Sequence, residues 1–125
     1  MKRAAFQHDG LTLSYLDSGG PLIVALHAMW MEARTFEGFA QAMPEWRVVS
    51  MDQRGHGLSD HSTNYTLGAF VGDIAALLDH LNATAPVVLV GNSVPNGAHL
   101  MGLFDQRLGW LTCNARHGDR QRSCR

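Results

Sequence analysis

At 125 residues the chain has the length of one small domain, enough to bury a core. Its 46% hydrophobic and 17% charged residues exclude intrinsic disorder, and a net charge of -1 argues against a polyanionic partner such as nucleic acid. No apolar run approaches the ~18 residues of a membrane span, and the basic start, Met1 to Asp9, lacks the apolar stretch of a secretory signal, so the cytoplasm is the expected location.

Two strands are expected over residues 3–8 and 11–17, joined at Asp9-Gly10, a pair that favours a two-residue hairpin turn. Ser18-Gly19-Gly20-Pro21 reads as a loop, and Leu22 to Leu26 as a strand buried on both faces of a parallel sheet, because every residue in it is apolar. A helix is expected from Ala33 to Met43, stopped by Pro44, and then a strand from Trp46 to Met51. Residues 52–65 form a polar loop. Thr66 caps the clearest helix, in which Leu67, Phe70, Val71, Ile74, Leu77, Leu78 and Leu81 recur at i, i+3, i+4 and i+7, with Asn82 as its stop. Val87 to Val90 is the next buried strand, giving the order β-β-β-α-β-α-β and an α/β class.

The end of the chain reads differently. Five of the ten basic residues, Arg107, Arg116, Arg120, Arg122 and Arg125, follow position 105, and Thr112 to Arg125 has neither helical nor strand periodicity. Both cysteines, Cys113 and Cys124, fall there and staple nothing in the core. Two units are therefore expected: a partial α/β domain over 1–105 and an irregular, non-native or disordered basic tail over 106–125.

Three stretches carry chemistry. The strand at 87–90 runs into Gly91-Asn92-Ser93, which is how a strand delivers a serine nucleophile to a sharp turn. Leu26-His27-Ala28-Met29 ends the first buried strand, where ligands collect in an open α/β sheet; His27 is read as a residue that bonds nearby backbone rather than as a base. In Asp52-Gln53-Arg54-Gly55-His56-Gly57-Leu58-Ser59-Asp60 the glycines permit positive φ, and Asp52 and Arg54 can bond the surrounding backbone. No metal-ligand spacing occurs in this loop, and no cofactor is expected.

Together these stretches resemble the α/β-hydrolase superfamily over about residues 6–94, the loop being the most specific part. The resemblance implies a mostly parallel sheet of about eight strands, of which this chain would hold the N-terminal portion: a hairpin plus three parallel strands with covering helices. It implies a Ser-His-Asp/Glu triad with Ser93 as nucleophile, and oxyanion-hole amides from Met29 and Val94. The acid and histidine would follow on strands this chain lacks, so a small-molecule ester-type hydrolase, truncated or frameshifted and inactive alone, is the expected function. Two rivals are a half-enzyme completed by another chain and a non-catalytic binding module; a dinucleotide site is disfavoured because no Gly-x-Gly-x-x-Gly follows the first buried strand. Two positions depart from the family pattern: Ala28 replaces a usual glycine, and Pro95 is expected to distort the elbow and misaim the Val94 amide. The missing strands would also leave the 87–90 strand with a bare edge, a route to self-association.

Overall fold

The computed structural model describes residues 1–18, 21–84, 87–92, 108–114 and 123–124. Strands β1 (Lys2–His8) and β2 (Leu11–Asp17) form the expected antiparallel hairpin. Asp9 and Gly10 both take positive φ, 53° and 70°, the requirement of a type I′ turn whose twist matches its strands. A Cβ built on Gly10 meets nothing within 4 Å, so Gly10→Ala should cost only the left-handed backbone penalty, about 1–2 kcal/mol by urea denaturation.

Then follow β3 (Leu22–Leu26), a 3-10 turn (Ala33–Phe36), α1 (Glu37–Ala42) and β4 (Arg47–Met51). The helix expected over 33–43 is thus split. Its first turn is tightened by the Thr35 N–H bond to the Glu32 carbonyl, and the Ala33 N–H is taken by the Asp52 side chain instead of being left free. Helix α2 (Leu67–His80) is capped by the Thr66 hydroxyl, which accepts the Ala69 N–H. It ends as the sequence suggests: Asn82 adopts φ 53° and the Ala83 N–H reaches back to the Leu78 carbonyl, closing a Schellman motif.

Strand β5 (Val87–Asn92) is two residues longer than its apolar run, because ladders on both sides carry the pairing through Gly91. The sheet has seven strands in the order β1-β2-β4-β3-β5-β6-β7, where β6 is Leu108–Asn114 and β7 is Ser123–Cys124. β3, β4, β5 and β6 are mutually parallel; the two ends of the sheet are antiparallel.

One expectation is revised here. Residues 108–114, assigned from sequence to an irregular tail, pair with β5 in parallel. The physical reason is that an unpaired parallel edge offers N–H and C=O groups to any extended segment; the ladder needs backbone, not side-chain periodicity.

The core lies on both faces of the sheet. Val24, Leu26, Val49, Met51, Val87 and Leu89 pack under Ile74, Leu77 and Leu78 of α2, together with Phe6, Leu13 and Tyr15 of the hairpin. Ile23, Ala25 and Val48 face the other way, onto Phe36 and Ala40. Alternate residues of β3 therefore bury on opposite faces, which is why the strand is apolar throughout.

Candidate functional site

The chain leaves β3 for β4 on one side and, through α2, returns to β5 on the other side of β3. The covering helices lie on opposite faces, so the crevice of this fold opens at the carboxyl ends of β3 and β5. Leu26 and Gly91 are paired there, so the turn after β3 and the end of β5 are neighbours.

His27 is fully buried at that end of β3. Its Nε2 accepts the Gln53 N–H at 3.0 Å, which leaves Nδ1 to donate to the Ala28 carbonyl at 2.8 Å. The Gln53 side-chain amide returns the link by donating to the His27 carbonyl at 2.7 Å. His27 thus locks β3 to the residues after β4, and neither ring nitrogen is left to act as a base.

Asp52, also fully buried, is the hub of the next loop. One carboxylate oxygen accepts the Ala33 N–H at 2.7 Å; the other pairs with Arg3 at 2.7 Å and accepts the Leu58 N–H at 3.3 Å. The Asp52 carbonyl accepts from Ser59 Oγ, which in turn accepts the Ser14 N–H. One carboxylate therefore ties together β1, the turn after β3 and the loop after β4.

Arg54 points the opposite way and is fully buried. Its guanidinium binds both oxygens of Asp73 on α2, at 2.6 and 2.8 Å, and donates further to the Asn64 carbonyl and to Asp9. The bond to Asp73 is the main cause that raises the guanidinium's already high pKa. Among the described residues no buried side-chain nitrogen or oxygen lacks a partner, and no group of three or more His, Cys, Asp or Glu could hold a metal ion.

Met29 occupies the second position of a turn closed by the Met31 N–H to the Ala28 carbonyl at 3.1 Å. Trp30, at the third position, has φ 68°, a left-handed conformation unusual for a bulky residue. The Met29 N–H has no acceptor among the described residues.

The sequence model of the α/β hydrolase fold family matches residues 19–94. The chain belongs to this family. It is 34% identical over 93 residues to the lipase LipV of Mycobacterium tuberculosis, a match covering 74% of this chain and 35% of that protein. To an sn-1-specific diacylglycerol lipase of Mus musculus it is 38% identical over 91 residues, covering 67% and 29% respectively. Among solved structures, an epoxide hydrolase from Vigna radiata superposes with a TM-score of 0.79 at 25% identity, over 90% of this chain and 39% of that one. The chain thus spans about a third of the length of the curated relatives it matches.

Of the site residues expected from the family resemblance, Met29 lies in the turn after β3, at the mouth of the crevice; Ser93 and Val94, and with them Pro95, lie outside the described residues. No helix among the described residues is long and apolar enough to cross a membrane.

The residues that sequence reasoning missed are the partners of the loop: Asp73, Arg3, Ser14 and Ser59. Asp73 left a signal. It lies three residues after Phe70 and four before Leu77, inside the apolar stripe, where a lone acid demands a cation. Arg3 and Ser14 left none, because their roles depend on which strand lies beside the loop.

Burial is the main cause that pushes the His27 pKa below its ordinary value. The folded form therefore favours the neutral ring, and a proton is taken up more readily on unfolding. This contribution is fully present above pH ~6.5 and is lost as pH falls from there through the folded pKa, at up to about 1.4 kcal/mol per pH unit. His27→Gln, which removes the titration, should flatten the acid limb of a stability-versus-pH profile; an unchanged slope below pH ~6.5 would show that His27 is not its source.

Proposed function

We propose that this chain carries the nucleophile part of an ester-hydrolysing site, with Ser93 as nucleophile and the amides of Met29 and Val94 as oxyanion donors. The observation that carries the reading is β5 ending in Gly91-Asn92 beside Leu26, so that the residue after Asn92 follows directly from the carboxyl end of the strand next to the Met29 turn. That both curated relatives described above are lipases supports an ester as the bond attacked.

In this reading Ser93 Oγ bonds to the carbonyl carbon while its proton passes to a histidine. The carbonyl oxygen gains the negative charge and is held by the two N–H groups. Collapse expels the alcohol, which takes the proton, and water then releases the acid. His27 cannot be that histidine, since both of its nitrogens are engaged. The acid and the histidine of the triad are assigned to chain that follows this region in the family's order or to a second chain that completes the site. The 125 residues alone are then expected to turn over no ester.

A fluorophosphonate probe tests the assignment: serine oxygen bonds to phosphorus, fluoride leaves and the proton goes to solvent. When the chain that supplies the acid and the histidine is present, peptide mass mapping should find the adduct at Ser93 ahead of every other serine, and Ser93→Ala should abolish it. Labelling spread evenly over Ser14, Ser18, Ser62 and Ser93 would sink the nucleophile assignment. Burst-free, sustained hydrolysis of p-nitrophenyl acetate by the chain alone, lost in Ser93→Ala, would instead overturn its inactivity.

A further inference from the structure

The segment between β3 and the 3-10 turn hangs between two fixed ends. Leu26 is held in the sheet by Met51 on one side and Gly91 on the other. Ala33 is held at both polar groups: its N–H donates to Asp52 at 2.7 Å, and its carbonyl accepts Ser50 Oγ at 2.8 Å. Among the described residues, the hydrogen bonds that join residues 27–32 to the loop after β4 are the pair between His27 and Gln53. Gln53 itself stays anchored on both sides, because the Asp52 N–H donates to the Ser14 carbonyl and the Gln53 carbonyl accepts the His56 N–H. The side free to move is therefore residues 27–32. Trp30 within it holds a left-handed φ of 68°, backbone strain that release relieves.

The His27 ring cannot keep its bonds in both protonation states. When neutral it donates from Nδ1 to the Ala28 carbonyl and accepts the Gln53 N–H at Nε2. A proton added at Nε2 sets two N–H donors face to face at 3.0 Å, inside the protein where neither meets water. Offering the Gln53 side-chain oxygen to the new donor takes its NH2 away from the His27 carbonyl, so the second bond is lost with the first. Among the described residues, the charged or titratable groups that face the ring are His56, with ring centroids 5.0 Å apart, Asp52 and Glu32. Gly91-Asn92, at the end of β5, brings no charge. Burial works most against a charged ring and His56 adds to it; the Ala28 bond, Glu32 and Asp52, itself already paired with Arg3, work the other way. We infer that proton uptake by His27 unlatches residues 27–32 from the loop after β4 while the sheet stays folded, which makes the carboxyl end of β3 an acid-opened segment. Neither Ser93 nor Val94 contributes an atom to this latch, so it stands or falls apart from the nucleophile assignment. The crevice bordered by the turn is then shaped at neutral pH and loosened in acid.

Nitrogen NMR of the unsubstituted chain tests this, following the His27 ring nitrogens and the protection of backbone amides from hydrogen exchange across the same pH series. Protection is taken relative to an unstructured chain at the same pH. At the Gln53 N–H it should fall about tenfold per pH unit from pH ~6.5 down to the pH at which the folded His27 ring titrates. The Ala33 N–H and the amides of the ladder between β3 and β4 should keep their protection over that range. His27→Gln supplies a side-chain oxygen for the Gln53 N–H but no titrating group, and should leave Gln53 protection level with pH. A fall shared by all these amides, which is acid unfolding rather than unlatching, would overturn the inference. So would Gln53 protection that stays level while His27 titrates, or that falls equally in His27→Gln. Where that variant does not fold, the coincidence of the His27 titration with the Gln53 loss in the unsubstituted chain decides the matter by itself.

Discussion

Arg54→Ala is expected to destabilise the chain by about 3–5 kcal/mol, because it strands the Asp73 carboxylate inside the protein without its cation. Both side chains are fully buried, and the guanidinium satisfies both carboxylate oxygens at once. His8 is the nearest other cation candidate, with Nε2 3.8 Å from Asp73, too far to replace a bidentate pair. Against a total stability of about 5–15 kcal/mol for a domain this is a large share, and the urea midpoint should fall by about 1–3 M with little change in slope. Arg54→Lys should recover only part of the loss, since an ammonium cannot reproduce the fork or reach the Asn64 carbonyl as well. The double substitution Arg54→Met with Asp73→Leu should recover most of it, because a buried pair contributes little over apolar residues of similar size. A loss below about 1 kcal/mol for Arg54→Ala would mean that the pair is hydrated in solution.

The second large effect is expected at Gly57. Its φ is 51°, and a Cβ there would collide with the Asp52 carboxylate. Asp52 cannot move aside without releasing Arg3, the Ala33 N–H and the Leu58 N–H together. Gly57→Ala should therefore cost about 3–5 kcal/mol, the left-handed penalty plus disruption of a buried charged network. The contrast with Gly10, equally left-handed but facing open space, isolates the steric part. A double-mutant cycle makes the mechanism explicit: in an Asp52→Ala background the collision is gone, so Gly57→Ala should cost only about 1–2 kcal/mol. Additive losses would show that the carboxylate is not what Gly57 accommodates.

These two residues also mark the limit of what can be read from the chain. Asp52, Arg54, Gly55 and Gly57 are recognisable as a special loop from their order alone, and both glycines do take positive φ, 76° and 51°. Their partners are another matter. Asp73 lies on the following helix, Arg3 on the first strand and Ala33 after the third, so the network closes only when all three elements meet. The same holds for His27. Its place after a buried strand is legible, but its lock on Gln53 requires β3 and β4 to lie side by side in parallel register.

Local pattern decided what local physics decides. The apolar runs at 22–26 and 87–90, the stripe from Leu67 to Leu81, the Asp9-Gly10 turn and the Asn82 stop all follow from short-range periodicity and backbone preference, and with the Asp52 loop they placed the chain among the α/β hydrolases. Tertiary structure alone decided the rest: that Leu108–Asn114 covers the edge of β5, that Asp52 and Arg54 anchor in opposite directions, and that Met29, Trp30 and Met31 stand exposed where the strand order reverses. The division has one physical cause. Periodicity and turn chemistry act over a few residues, whereas backbone pairing at an edge and the neutralisation of a buried charge depend on which distant segments come together.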